Sequence, residues 1–118
     1  MYPDIIMKHF LNPKNVGKIE NPTLLGEFET PSKAKAIFYF KIEDGIIKEI
    51  KFQIVGCPYA IAVCSIITEL ATSEKVENFK EFSKKELEKF FEIPAEKEEC
   101  INLSINAFLN GISKYKPI

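Results

Sequence analysis

Apolar positions recur every second residue through the middle of the chain and at helical spacing on either side of it. Phe38, Phe40 and Ile42 alternate with Ile37, Tyr39 and Lys41, a pattern that predicts a strand with one strongly apolar face. Glu43-Asp44-Gly45 supplies the chemistry of a tight turn. A second strand follows, in which Ile50, Phe52 and Ile54 face a core and Glu49, Lys51 and Gln53 face solvent. A further strand is expected over residues 24–30. Ile5, Ile6, His9 and Phe10 predict a short N-terminal helix that Asn12-Pro13 ends. The stretch after it is rich in turn formers: Asn15, Gly17, Asn21 and Pro22.

Everything beyond Gly56 reads as helix. Pro58 suits the first helical position, where a missing N–H costs nothing. Ala60, Ile61, Ala62, Val63, Ile66, Ile67 and Leu70 are apolar almost all round, so this helix is expected to be largely buried. Ser83 and Glu86 write a capping box, with Phe82 and Leu87 as its hydrophobic staple, for a helix running to about Phe91. Ile101, Ile105, Phe108, Ile112 and Tyr115 place a single face on the last helix. Strands first and helices afterwards predict an α+β fold: a small three-stranded antiparallel sheet with helices on one face, in one domain spanning 1–118.

Composition narrows the function classes. Sixteen basic and seventeen acidic residues give a net charge of −1, without the basic stripe that phosphate contacts demand, so no nucleic-acid partner is expected. No apolar run reaches the roughly eighteen residues of a membrane span, and no membrane partner is expected. The Met1-Tyr2-Pro3-Asp4 start has neither a basic nor an apolar leader region, which makes the cytoplasm the expected compartment.

The three cysteines carry the candidate chemistry. In a cytosolic chain they are expected to be reduced, each as a buried hydrophobe, a reactive thiol or a metal ligand. Cys57, in Val55-Gly56-Cys57-Pro58, stands at a strand-to-helix junction. There, unpaired N–H groups and the positive end of the helix dipole favour thiolate, the form that binds soft metals or accepts sulfur. Cys100 occupies the same kind of place in the first turn of the last helix, behind Glu96-Lys97-Glu98-Glu99. Cys64 lies ~10 Å beyond Cys57 along a helix rising ~1.5 Å per residue, too far for both to hold one metal ion. Its apolar neighbours Val63 and Ile66 assign it to the core. His9, the only histidine, is assigned to packing or to the surface, and there is no glycine-rich phosphate loop.

The order of motifs resembles the NifU N-terminal domain and the IscU-type iron–sulfur cluster scaffolds over nearly the whole chain. The matching residues are Tyr2, His9-Phe10, Asn12-Pro13-Lys14-Asn15-Val16-Gly17, Gly45-Ile46-Ile47, Phe52, Gly56-Cys57, Ala60-Ile61-Ala62, Ser65, Thr68-Glu69, Lys97 and Cys100. The resemblance implies a SufE/NifU-like sandwich that assembles a [2Fe–2S] cluster from iron and sulfur delivered by a cysteine desulfurase, and passes it to cluster-acceptor proteins. It implies a scaffold rather than an enzyme, and a homo-oligomer is compatible with it. Cys57 corresponds to the second of the family's three ligand cysteines and Cys100 to the third. The first ligand and its neighbouring aspartate are missing: Ser32 or Lys33 occupies the cysteine position and Ala34 the aspartate position. Glu99 replaces the histidine before the third cysteine and offers an oxygen ligand. The chaperone-recognition stretch becomes Ile93-Pro94-Ala95-Glu96-Lys97. Three roles follow from this ligand set. The chain is a carrier of iron or [2Fe–2S] with altered coordination, a metal-free binding module of the assembly machinery, or a zinc-dependent sulfur acceptor.

Overall fold

The computed structural model describes residues 2–117. Helix α1 (Asp4–Leu11) leads into a three-stranded antiparallel sheet of order β1-β2-β3, with β1 at Leu24–Glu29, β2 at Lys35–Glu43 and β3 at Ile46–Val55. Helices α2 (Pro58–Ala71), α3 (Lys84–Leu87) and α4 (Glu98–Lys114) follow, with 3₁₀ turns at Val76–Phe79 and Ala95–Lys97 between them. The α+β class with a small antiparallel sheet is the one expected from the sequence.

The β2–β3 hairpin closes through Asp44 and Gly45, both at positive φ (53° and 75°), the conformation whose twist matches that of the flanking strands. Alternation along β2 holds throughout: Ala36, Phe38, Phe40 and Ile42 are buried, and Ile37, Tyr39 and Lys41 are half-buried on the other face. Along β3 the phase breaks. Pairing shifts between Lys41 and Ile42, so that Ile42 opposes Ile47 and Lys48 is the extra residue of a bulge. Ile47 therefore joins Ile50 and Phe52 in the core, although strict alternation puts it on the solvent side.

Phe108 of α4 gathers the core over the sheet. Its ring lies 5.7 Å from Phe38, 5.8 Å from Phe40 and 5.5 Å from each of Phe79 and Phe82. Edge-on and tilted aromatic contacts of this kind add to the area term, which alone contributes about 2–3 kcal/mol for a buried phenylalanine. Both edges of the sheet are occupied by the chain itself. Asn110 accepts the Glu27 N–H at 3.0 Å and Lys114 donates to the Leu25 carbonyl at 2.9 Å, so α4 covers the middle of β1. On β3, the Phe52 N–H donates to Asn15 and the Gly17 N–H donates to Phe52, while Ile47 bonds with Ser73 and Glu74.

Helix α3 is one turn long, shorter than the helix to Phe91 read from the sequence. The capping box is present: Ser83 Oγ accepts from the Lys85 N–H, and the Ser83 N–H donates to Glu86 at 2.9 Å. The turn then closes when Phe90 and Phe91 both donate to the Leu87 carbonyl, and Ile93-Pro94 prevents resumption.

Candidate functional site

Three segments distant in sequence meet at one end of the sheet. The β1–β2 turn is tightened by Thr30: its N–H donates to the Ala34 carbonyl at 2.8 Å, and its hydroxyl accepts from the Ala34 N–H at 3.2 Å. Thr30 Oγ1 and Ser32 Oγ share a 2.9 Å hydrogen bond, and Lys33 takes the left-handed conformation at φ 74°. Pairing of Lys35 with Val55 sets this turn beside the end of β3, where the chain passes through Gly56 into α2. The third segment is the 3₁₀ turn Ala95–Lys97 that feeds α4, steadied where Lys97 Nζ stands 5.9 Å over the Tyr59 ring.

Cys57 is the N-cap of α2, with an extended backbone (φ −78°, ψ 165°) and no side-chain capping bond, and Pro58 follows at the first helical position. Cys100 is in the first turn of α4. Their Cα atoms are 6.5 Å apart and their sulfurs are in contact, so the two cysteines read separately from the sequence form one pair that can close as a disulfide. Around the pair lies an open depression of about 300 Å³ lined by Thr30, Ser32, Ala34, Cys57, Glu96, Glu99, Cys100 and Leu103. Of the two candidates for the missing cysteine position, Ser32 lines the depression and Lys33 does not. Ala34 lines it without a donor atom. Thr30, Glu96 and Leu103 also belong to the wall. The Thr-Pro dipeptide at 30–31 is the one sequence signal that could have drawn attention to Thr30, as a turn former.

Two thiolates bound to one metal at ~2.3 Å in tetrahedral geometry sit ~3.8 Å apart. Cα atoms separated by 6.5 Å accommodate that spacing, so the reduced pair fits one iron of a cluster. Glu99, Glu96 and Ser32 add oxygen donors at the wall. Among the described residues no three His, Cys, Asp or Glu side chains form a metal-holding group. A structural zinc site takes four protein ligands, so zinc finds no support here.

Cys64 is fully buried, in contact with Ser104 of α4, and burial pushes its thiol up to about 12. Ser104 in turn donates to the Ala60 carbonyl at 2.8 Å. His9 is buried away from the depression, between α1 and α2. Its Nδ1 is 2.7 Å from Ser65 Oγ and its Nε2 is 3.3 Å from Glu69, while Ser65 Oγ accepts the Lys14 N–H at 2.7 Å. Burial lowers the histidine pKa against the opposing pull of Glu69. A neutral ring with its proton on Nε2 satisfies all three bonds. Asn15 donates to Thr68 at 3.0 Å beside it, so the Asn12–Gly17 motif is a clamp between the N-terminal segment and α2.

Residues 1–118 match the family model described as the NifU-like N terminal domain. The chain is 36% identical over 117 residues to the iron-sulfur cluster assembly scaffold protein IscU 1 of Archaeoglobus fulgidus, spanning 98% of this chain and 76% of that protein. It is 30% identical over 118 residues to the iron-sulfur cluster assembly scaffold protein IscU of Aquifex aeolicus, spanning 97% and 75%. The fold superimposes on the crystal structure of the N-terminal part of a nitrogen-fixing NifU-like protein from Brucella abortus with a TM-score of 0.75. That match covers 95% of this chain and 92% of the other at 13% identity, and establishes likeness of fold.

Proposed function

Because the chain belongs to the NifU-like N-terminal domain family, we propose that it acts in cytoplasmic iron–sulfur cluster assembly as a single-domain carrier. It holds iron or a [2Fe–2S] cluster on Cys57 and Cys100 and hands this cargo to acceptor proteins, its sulfur coming from a cysteine desulfurase. The observation behind the reading is the meeting of Cys57 and Cys100 over an open depression whose wall carries Ser32, Glu96 and Glu99. Each iron of a [2Fe–2S] unit takes two ligands from outside the cluster, mostly thiolates. The reduced pair supplies one iron, and the other is left to Glu99, Ser32 or a donor from an acceptor or second copy. Incomplete enclosure suits cargo that must leave. In this reading the chain is a scaffold, as its relatives' names describe them.

The test is anaerobic reduction and reconstitution with ferrous iron and sulfide, read by absorption and metal analysis on wild type, Cys57→Ser and Cys100→Ser. Bound iron with a visible band, lost in both variants, is expected. Wild type without iron overturns the carrier role. A metal-free binding module is then the better reading.

A further inference from the structure

We propose that Cys57 and Cys100 act together as a reducing dithiol toward persulfide sulfur, releasing it as sulfide and ending as a disulfide between them. The inference rests on the proposed site in using its cysteine pair, and it requires no iron.

Cluster sulfur is sulfide, whereas the outer sulfur of a persulfide is two electrons more oxidised. A site that receives persulfide therefore needs two electrons before sulfide appears. Two neighbouring thiols carry them. In the first step the Cys57 thiolate attacks the outer sulfur of a persulfide RS–SH. A Cys57–S–SH bond forms, the RS–SH bond breaks, and RS⁻ leaves. In the second step the Cys100 thiolate attacks Cys57 Sγ, the inner sulfur of the new persulfide. The Cys57–Cys100 disulfide forms and HS⁻ departs with the electron pair of the broken S–S bond. The sulfane sulfur is reduced, the two thiols are oxidised, and no further reductant enters.

Three observations carry this assignment. First, the second step requires direct Sγ-to-Sγ attack, and cysteines from α2 and α4 with Cα atoms 6.5 Å apart stand in bonding position. Second, the pair opens onto the depression bounded by Thr30, Ser32 and Ala34, which leaves a path for an incoming persulfide and a departing hydrosulfide. Third, the polarity is set by the two helix starts. The first turn of α2 has no acidic residue, whereas that of α4 has Glu98 and Glu99. An anionic persulfide therefore meets less like charge at Cys57, which receives the sulfur, and Cys100 resolves it. Cys64, the one remaining thiol, is sealed in the core and takes no part.

The experiment uses the full chain, reduced, desalted and kept anaerobic without other reductant. One equivalent of glutathione persulfide is added in one arm and a persulfide-loaded cysteine desulfurase in the other. Sulfide, free thiols and intact mass are measured. The expected result in at least one arm is about one sulfide per chain, free thiols falling from three to one, and a Cys57–Cys100 disulfide. The responding arm identifies a small-molecule or protein-borne donor. Cys100→Ser should keep one extra sulfur on Cys57 and form no intramolecular disulfide, and Cys64→Ala should behave as wild type. Persulfide that persists on wild type with no internal disulfide in either arm overturns the proposal, as does sulfide release from Cys100→Ser equal to that of wild type. A chain that loads iron from preformed sulfide but fails here refutes this step alone. One that releases sulfide but binds no iron refutes the carrier reading alone.

Discussion

Strand β1 and helix α4 approach each other backbone to backbone at Gly26, and an added methyl group there tests how tightly α4 is held. A Cβ at Gly26 would lie 2.5 Å from the Gly111 nitrogen and 2.7 Å from its Cα, and would also run into the Ala107 carbonyl. Carbon contacts are comfortable at about 3.5–4.0 Å, so α4 must retreat by about 1 Å, and no flexible side chain is available to yield instead. Overpacking of this order costs about 1–3 kcal/mol. Loosening the Asn110 and Lys114 bonds to β1 adds about 1 kcal/mol for each bond lost. Reduced freedom of the unfolded chain offsets about 0.4–1 kcal/mol. The expected net loss is therefore about 2–4 kcal/mol. An unfolding entropy of ~2.1 cal/mol/K per residue over this chain converts 1 kcal/mol to ~4 °C, so Gly26→Ala should melt ~8–16 °C lower in a circular-dichroism thermal scan. Gly56→Ala is the internal control. Its Cβ would meet Ala60, Leu103 and Ile54 side chains at 3.4–3.5 Å with no positive φ to strain, and its stability should stay within about 0.5 kcal/mol of wild type. A Gly26→Ala protein that loses less than about 1 kcal/mol would refute the close approach as the determinant of α4 placement.

The His9 clamp predicts a pH dependence of stability. Since burial lowers the folded-state pKa of His9 below its usual 6.5, the unfolded chain binds more protons at slightly acidic pH. The contribution of the clamp is therefore complete above that value and declines as pH falls through 6.5 toward the folded pKa. Urea midpoints measured from neutral to mildly acidic pH should fall more steeply for wild type than for His9→Gln, and parallel curves would contradict the buried neutral ring. At the α3 cap, Ser83→Ala removes the hydroxyl that accepts from the Lys85 N–H, leaves the Ser83 N–H on Glu86, and should cost about 1 kcal/mol in the same melts. Because Ser83 does not line the depression around the cysteine pair, iron loading in reconstitution should be unchanged, and a loss of loading would tie α3 to the site through the Lys84–Glu98 ion pair.

What the sequence made legible was whatever depends on near neighbours. The β2 alternation, the Asp44-Gly45 turn, the Ser83–Glu86 box and the apolar face of α4 are each set within a few residues, and each is present. The β3 bulge was not legible, because skipping Lys48 depends on what β2 offers across the hairpin rather than on β3 itself. The short α3 escaped for a related reason: its residues suit a helix, but the chain is turned by Leu87 accepting two N–H groups and by the packing beyond. At the candidate site, the helix-start positions of Cys57 and Cys100 were readable from Gly56-Cys57-Pro58 and from the run before Cys100. Their contact was not, since it is made by the antiparallel pairing and by α4 lying back across the sheet. His9 and Ser65 are separated by most of two helices and a sheet. Only the fold reveals their bond and gives the Asn12–Gly17 motif a physical purpose.

The occupied sheet edges have a consequence for assembly. An exposed strand edge is a template on which another chain can add a strand, the route to domain exchange and to fibrous aggregation. Here the middle of β1 already gives its outward groups to Asn110 and Lys114, and β3 gives its own to residues 15–17 and 73–74. A visiting chain would have to displace covalently tethered competitors, whose effective concentration no free partner matches. Lengthening of the sheet is thereby disfavoured, and encounters with other proteins are channelled to side-chain surfaces. Among those, the end where three segments converge on Cys57 and Cys100 is the one where the chain presents its chemistry.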